Sequence, residues 1–255
     1  MRYFMTVSFR GTRYHGWQIQ PNDTSVQQTL EEALQKLTGV PTPVTGAGRT
    51  DAGVNARVMP AHFDARPMDA AGCQAMARSL NAICRPDIVV RSIVPVKDDA
   101  HARFDATKRT YRYFVNTRPD PFIYPLSWFC PTPLDVDAMN LAARDLIGTH
   151  DFTSFSKLHT DVKTNICTVI QAEWKLTDDS RMYFEISADR FLRNMVRAIV
   201  GTLVEVGRWK YPVTHVAEVM RQQNRGAAGT SMPAHALFLW DVEYPYPITG
   251  ERDKE

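Results

Sequence analysis

The sequence is poor in cysteine, lacks long apolar runs and carries little net charge. None of its four cysteines forms a CxxC pair, so zinc-ribbon and redox motifs are unsupported, and we expect reduced thiols that are mostly buried. The seven histidines form no HExxH pair, and we therefore expect no bound metal. The cysteines are Cys73, Cys84, Cys130 and Cys167.

No stretch approaches the roughly 20 consecutive apolar residues that a membrane-spanning helix needs. Residues 1–7 are too short and too mixed for a signal peptide, so we expect a cytoplasmic protein without membrane association. The formal net charge of +2 neither requires nor excludes a nucleic-acid partner, because acidic surface elsewhere can offset a basic cleft. A hydrophobic content of 44% is enough for a core in one large domain or two small ones.

Hydrophobic periodicity predicts two halves that share a similar order of strands and helices. In the first half it predicts strands at 3–9, near 44, at 58–63 and at 88–96, and helices from Thr24 or Ser25 to Gly39 and at 69–83. In the second half it predicts strands at 108–116, 167–176, 182–188 and 237–244, and helices at 135–147, 192–206 and 213–223.

This order indicates an α+β fold of two similar subdomains, at 1–103 and 104–247, followed by a flexible tail at 248–255. We expect the subdomains to form a mixed, mainly antiparallel sheet with a cleft where the halves meet.

The segment 46–53, GAGRTDAG, is the most unusual part of the chain. Its three glycines permit positive φ angles and let a bulky ligand come close. The spacing fits neither a dinucleotide fingerprint, because Asp51 stands where the third glycine should be, nor a P-loop, because no GK[ST] follows. A carboxylate on a tight loop suits a nucleophile or a general base, and Arg49 can reach a phosphate. The alternative is an ordinary strand-connecting turn.

Two further segments place cations beside aromatic or apolar side chains. In the predicted strand 108–116, cations that suit phosphates alternate with aromatics that stack on bases, and Tyr111 and Tyr113 should share one face. The alternative is a half-buried strand with a solvated basic face. In the predicted helix 192–206, Arg197 lies at the edge of the apolar stripe, where an arginine either extends to solvent or pairs with a carboxylate.

The predicted loop 11–18 carries two aromatic residues, Tyr14 and Trp17, between its glycines. Their side chains look exposed. Whether they stack on bases or pack against the protein is open at this stage.

Together, and in this order, these segments resemble the tRNA pseudouridine synthase A family. The matching motifs are GTRYHGWQIQ at 11–20, GAGRTDAGV at 46–54, KRTYRY at 108–113 and MVRAIVGTL at 195–203. The stretch 237–244 also fits, so the likeness spans nearly the whole chain. The GAGRTDAG string is highly specific and the other motifs are moderately so.

The resemblance implies the pseudouridine synthase fold with a central RNA-binding cleft. It implies a homodimeric isomerase that needs no cofactor and converts uridine to pseudouridine at tRNA positions 38, 39 and 40, in the anticodon arm. Asp51 would be the catalytic carboxylate, Tyr111 would stack on the target base, and Arg197 would pair with the aspartate. The substrate-binding residues would be Tyr111, Arg49, Thr50, Lys108 and Arg109.

Three positions depart from the family pattern and bear on RNA contacts, namely Arg10, Asn55 and Ala236. The role of Asp51 stays open between attack on the ribose C1′, attack on the base C6 and removal of the C2′ proton. Two other classes of function also remain, a non-catalytic RNA-binding module and a small-molecule hydrolase with an aspartate nucleophile.

Overall fold

The computed structural model describes residues 1–84, 86–157, 163–178 and 180–248. The chain divides into two compact units, Met1–Thr107 with Leu239–Glu255, and Lys108–Phe238. This differs from the predicted subdomains, because residues 239–247 group with the first unit, where the last strand joins the sheet. Apart from Ile248, the predicted flexible tail lies outside the described residues.

Strands and helices follow one another in both units. The first unit contains β1 (Arg2–Phe9), α1 (Val26–Thr38), β2 (Thr45–Gly46), β3 (Asn55–Asp64), α2 (Ala70–Ile83) and β4 (Ile88–Pro95). The second contains β5 (Lys108–Asn116), β6 (Trp128–Phe129), α3 (Val136–Ala143), β7 (Gly148–Asp151), β8 (Ile166–Asp178), β9 (Arg181–Ala188), α4 (Met195–Gly207) and α5 (His215–Gln222). The final strand is β10 (Leu237–Glu243).

Strand pairing is mainly antiparallel, which confirms the predicted α+β class. The first unit has the order β4-β1-β3-β10 and the second has the order β5-β9-β8-β7. Strand β1 pairs antiparallel with β3 and β4, and β9 pairs antiparallel with β5 and β8, whereas the two-residue β6 lies parallel to β5. Within the described ranges, no helix is long and apolar enough to cross a membrane.

Helix α1 shows how local sequence sets the ends of an element. The Ser25 Oγ accepts a hydrogen bond from Gln28 N at 3.1 Å, and Gly39, with φ of 75°, ends the helix in the left-handed conformation. The Gln28 side chain donates to Glu32 Oε1 at 2.9 Å, so the return bond of a full capping box is absent among the described contacts. The buried face consists of Val26, Leu30, Ala33 and Leu34.

Two helices differ from their predicted spans for local reasons. Helix α4 begins at Met195 instead of residue 192, because Asn194 has φ of 67° and cannot continue a right-handed helix. Helix α3 ends at Ala143 and is followed by the 3-10 turn Arg144–Leu146. Strands β6 and β7 were not predicted, since two and four residues are too short for a periodic pattern.

The sheet of the second unit has an apolar face and a face that carries charge. Tyr113 on β5 lies opposite Phe184 on β9, Trp174 on β8 follows, and all three are buried. On the other face, the buried Glu185 accepts hydrogen bonds from Arg112 Nε and from Lys175 Nζ, the latter at 2.9 Å. Burial alone would raise the pKa of Glu185, but these bonds outweigh it and hold the pKa below its ordinary value of 4.5.

We predict that Glu185→Gln lowers the free energy of unfolding at pH 7 by about 1–3 kcal/mol, because two cations lose their charged partner. A carboxyl with a depressed folded-state pKa stabilises the protein above its ordinary pKa and loses that effect as the pH falls. The difference between the variant and the wild type should therefore shrink below pH 4.5. Urea unfolding at pH 7 and near pH 3 measures it.

Glu173→Gln is the matched control, because its carboxylate is half exposed and contacts only Lys175, at 3.6 Å, among the described ion pairs. We expect the control to change stability by less than about 0.5 kcal/mol. An equal loss of stability in both variants would show that the buried carboxylate contributes no more to stability than the half-exposed one.

Candidate active site

The loop that carries Asp51 joins β2 to β3 and is held to the strands at both ends. Ala47 N donates to Pro60 O at 2.8 Å, and Val54 N donates to Asp51 O at 3.1 Å, which closes a turn around the aspartate. Asp51 is half-buried, whereas Arg49 is exposed. The loop therefore presents its carboxylate from a fixed backbone, with a cation nearby in sequence.

The segment 11–17 supports this loop through its backbone. Gly53 N donates to Tyr14 O at 3.2 Å, and Trp17 N donates to Thr50 O at 3.4 Å. Gly16 has φ of 90°, and a Cβ there would overlap the Thr50 carbonyl oxygen, so only glycine permits this approach. The two loops thus form one backbone-packed unit.

The aromatic residues of the segment 11–17 are buried, so their predicted exposure is wrong. Tyr14 is 5% and Trp17 is 3% exposed. The Trp17 ring packs directly on Gly46, and the Tyr14 hydroxyl donates to Asp87 Oδ1 at 3.0 Å. The Trp17 side chain thus supports the Asp51 loop at Gly46, which explains this aromatic residue in a glycine-rich segment.

Asn55, which the sequence analysis named only as a departure that bears on RNA contacts, is a buried positioning residue. Its Oδ1 accepts a hydrogen bond from Gly11 N at 2.8 Å, and both residues are buried. A Cβ on Gly11 would overlap the Val54 carbonyl oxygen. In the sequence, the signal for this contact was the presence of two glycine-rich segments, since glycine marks places where backbones approach closely.

Thr50, predicted to bind substrate, lies directly before the aspartate. Its hydroxyl oxygen is buried and has no hydrogen-bond partner among the described residues. A buried hydroxyl without a partner carries a desolvation cost.

In the second unit, the tyrosines of β5 lie near Phe191 and near Arg197 of α4. The half-buried Tyr111 makes an edge-to-face contact with Phe191, with ring centroids 5.0 Å apart. Tyr113 is fully buried, and its burial raises the pKa of the phenol although the charge of Arg197 opposes the shift. The predicted shared face of Tyr111 and Tyr113 is consistent with these contacts.

Arg197 is fixed at the start of α4 by the segment 225–232. Its Nε donates to Met232 O at 2.6 Å, and Met232 N donates back to Arg197 O at 3.1 Å. Asn194 and Arg225 both donate to Ser231 Oγ, at 2.7 and 2.8 Å. These contacts position the arginine, and no periodic pattern in the sequence indicated the segment.

The remaining predicted binding residues lie at the beginning of β5. Lys108 is half-buried, and Arg109 Nη1 donates to Asp189 O at 2.8 Å. The predicted residues thus form two groups, one in each unit. The first group is Arg49, Thr50 and Asp51, and the second is Lys108, Arg109, Tyr111 and Arg197.

Metal-ligand clusters of three or more His, Cys, Asp or Glu side chains are absent from the part of the chain that the structure describes. The four cysteines are buried, which confirms the predicted burial of the thiols.

The structure is an α+β fold that carries a half-buried aspartate on a glycine-rich loop, and comparisons with known proteins identify the family. A family model described as tRNA pseudouridine synthase matches residues 142–245. The chain is 53% identical over 249 residues to "tRNA pseudouridine synthase A" of Bacteroides fragilis, covering 97% of this chain and 98% of the relative. It is 40% identical over 248 residues to the protein of that name in Bacillus licheniformis, covering 96% and 99%.

A third relative, the "tRNA pseudouridine synthase A" of Bacteroides thetaiotaomicron, is 53% identical over 256 residues, covering 100% of this chain and 94% of the relative. The chain therefore belongs to the tRNA pseudouridine synthase A family, which confirms the resemblance, and it is an isomerase.

We predict that Asn55→Ala lowers both stability and turnover, because Gly11 N loses its buried acceptor at a cost of about 1–3 kcal/mol and the Asp51 loop loses its support. Thermal unfolding and turnover at saturating RNA, well below the melting temperature, measure the two effects.

Asn81→Ala is the matched control. Asn81 makes two hydrogen bonds with the Val90 backbone, at 2.7 and 2.9 Å, on the α2 side of the first unit. The control should lose stability but keep its turnover. Normal turnover by Asn55→Ala would remove Asn55 from the support of the loop.

Proposed function

We propose that this protein isomerises uridine to pseudouridine at positions 38, 39 and 40 in the anticodon arm of tRNA, with Asp51 as the catalytic nucleophile. The observation that carries the proposal is family membership over the whole length, combined with a half-buried carboxylate on the GAGRTDAG loop. The enzyme acts without a cofactor or a metal, as a cytoplasmic homodimer.

The reaction is an isomerisation whose atoms balance without a second substrate. The bond between N1 and C1′ breaks, the uracil turns over, and a bond between C5 and C1′ forms. C5 loses its hydrogen as a proton and N1 gains one, so neither a redox step nor an energy source is needed. Asp51 attacks C1′ of the ribose or C6 of the base, and removal of the C2′ proton is the alternative role.

A uridine inside the stem of the anticodon arm is out of reach of a carboxylate, so the proposal includes base flipping. Extrusion of a base costs a few kcal/mol in other enzymes. Stacking on Tyr111 would recover roughly 1–3 kcal/mol of this cost. The Tyr111 ring makes an edge-to-face contact with Phe191 and is half-buried, so part of its surface is accessible to a base.

The charged residues have separate roles in the proposal. Arg197 pairs with Asp51 through a charge-assisted hydrogen bond, and the fixed Nε contact to Met232 restricts where its guanidinium can point. Arg49, exposed on the loop, contacts RNA and holds the place of the flipped nucleotide. Thr50, Lys108 and Arg109 contribute to RNA binding.

We predict that Asp51→Asn and Asp51→Ala bind tRNA normally but form no pseudouridine, because they lack the nucleophile. The assay uses unmodified tRNA with tritium at uridine C5, without added cofactor, and follows release of the label as the new C5 bond forms. Wild-type protein should release the label.

Asp64→Asn controls for loss of a carboxylate in the same unit, because its side chain is 61% exposed and pairs with Arg2. The control should release label at the wild-type rate. Label release by Asp51→Asn would refute the assignment of the nucleophile, and tight binding without release by the wild type would favour a non-catalytic RNA-binding module.

We predict that Tyr111→Ala reduces turnover more than binding, since it removes the stacking partner of the flipped base. Arg49→Ala should weaken both, because a phosphate contact and the stabilisation of the flipped state are lost together. Filter binding at two salt concentrations and single-turnover rates separate the effects.

Arg181→Ala is the control for loss of a surface cation, because Arg181 is half exposed and pairs with Asp178 at the end of β8. It should match the wild type in both assays. A wild-type rate for Tyr111→Ala would exclude the tyrosine from the uridine pocket.

A further inference from the structure

The C-terminal end of α4 has an unusual residue at the position that usually holds glycine. Lys210 N donates to Glu205 O at 3.0 Å, and Trp209 N donates to Val206 O at 2.8 Å, which is the hydrogen-bond pattern of a Schellman motif. The residue that takes the left-handed conformation in this motif is Trp209, with φ of 57°. Side chains with a Cβ disfavour that conformation, and bulky residues rarely adopt it.

Packing does not compensate for this strain. The Trp209 side chain is 68% exposed, and none of the described residues makes a ring contact with its indole. The other four tryptophans, all within the described ranges, are buried or half-buried. A strained backbone and an exposed indole at one residue point to a selected role outside the fold itself.

The residues around Trp209 supply cations and a second aromatic ring. The Arg208 guanidinium lies 5.6 Å from the Trp128 ring centroid. Lys210 Nζ binds Glu205 at 2.8 Å and lies 5.1 Å from the Tyr211 ring, which itself stacks on His215 at 3.9 Å. The segment 208–211 thus has two cations and no carboxylate, but Lys210 is paired with Glu205. Arg208, which also donates a hydrogen bond to Cys130 Sγ at 3.4 Å, has no carboxylate partner among the described ion pairs.

We propose that Trp209 is a stacking platform for an unpaired base of the tRNA, with Arg208 meeting a neighbouring phosphate. An exposed indole beside cations fits a nucleobase and its phosphate, because stacking accepts any base and the cations match the backbone charge. A protein interface is the alternative, since tryptophan, tyrosine and arginine are enriched there although lysine is depleted, and the oligomer mass in the test below separates the two. This inference rests on the proposed function, which makes tRNA the substrate.

The base on Trp209 is a different nucleotide from the target uridine. Arg197, which the proposed function places at the target, lies ten residues before Gly207, the last residue of α4. A helix rises 1.5 Å per residue, so about 15 Å of helix separate Arg197 from the end at which Trp209 follows. Trp209 therefore contributes to affinity and to the choice of tRNA, and not to the chemical step.

The test compares Trp209→Gly and Trp209→Ala with the wild type, using unmodified full-length tRNA. Both variants lose the ring, but glycine relieves the left-handed strain that alanine keeps, so Trp209→Gly should melt at a higher temperature than Trp209→Ala. Both should bind tRNA about 10-fold more weakly, within the range for loss of one base stack. KM should rise by a similar factor while kcat stays unchanged.

Leu176→Ala is the control for an exposed apolar residue in the same unit, since Leu176 is 64% exposed on β8. It should bind as the wild type does. Trp209→Phe keeps an aromatic ring and should retain most of the affinity for tRNA. Added tRNA should quench the indole fluorescence of the wild type, and Trp209→Phe should lose this quenching.

Wild-type affinity for tRNA in Trp209→Gly would overturn the inference. A change in oligomer mass without a change in affinity would also overturn it, because the indole would then contact a second copy of the chain. Label release by the wild type in the same reactions reports the proposed function separately. If the wild type released no label, that function would fail while the binding comparison still decided the role of Trp209.

Discussion

The close approach of two backbone segments, 11–17 and 46–55, is the constraint on which the aspartate loop depends. Glycine at positions 11, 16 and 46 leaves room for the Val54 and Thr50 carbonyl groups and for the Trp17 ring. Hydrogen bonds between the segments then use polar backbone groups that would otherwise be buried without partners. Asp51 is held by main-chain geometry, which restricts its position more tightly than a flexible side-chain support would.

The second unit positions its arginine by a related device. Gly201 in α4 abuts the Thr230 carbonyl, where a Cβ would overlap the oxygen, so the segment 225–232 lies directly on the helix. That proximity allows Met232 to bond both the backbone and the side chain of Arg197. A helix that begins with the left-handed Asn194 gains its stability at this end from the neighbouring segment rather than from capping.

Local patterns predicted much of this structure, and contacts between distant segments account for the rest. The strand 108–116 was predicted with its observed ends, and α1 with its Ser25 and Gly39 caps, because periodicity and capping act within a few residues. The burial of Tyr14 and Trp17 and the bond from Asn55 to Gly11 depend on segments about 30 to 45 residues apart, which local patterns do not report. The family resemblance, and no local pattern, singled out Asp51, Tyr111 and Arg197 together.

The positions of glycine in the chain show how unusual Trp209 is. Where the fold needs close backbone approach, at Gly11, Gly16 and Gly201, the chain has glycine. At the end of α1, where the left-handed conformation is required, it again has glycine, at position 39. Two helix ends depart from this, since α5 ends in the left-handed Gln223 and α4 in the left-handed Trp209, whose bulky side chain is mostly exposed. Since the fold alone would favour glycine at position 209, the stacking proposed for Trp209 would give the indole a benefit that its packing does not supply.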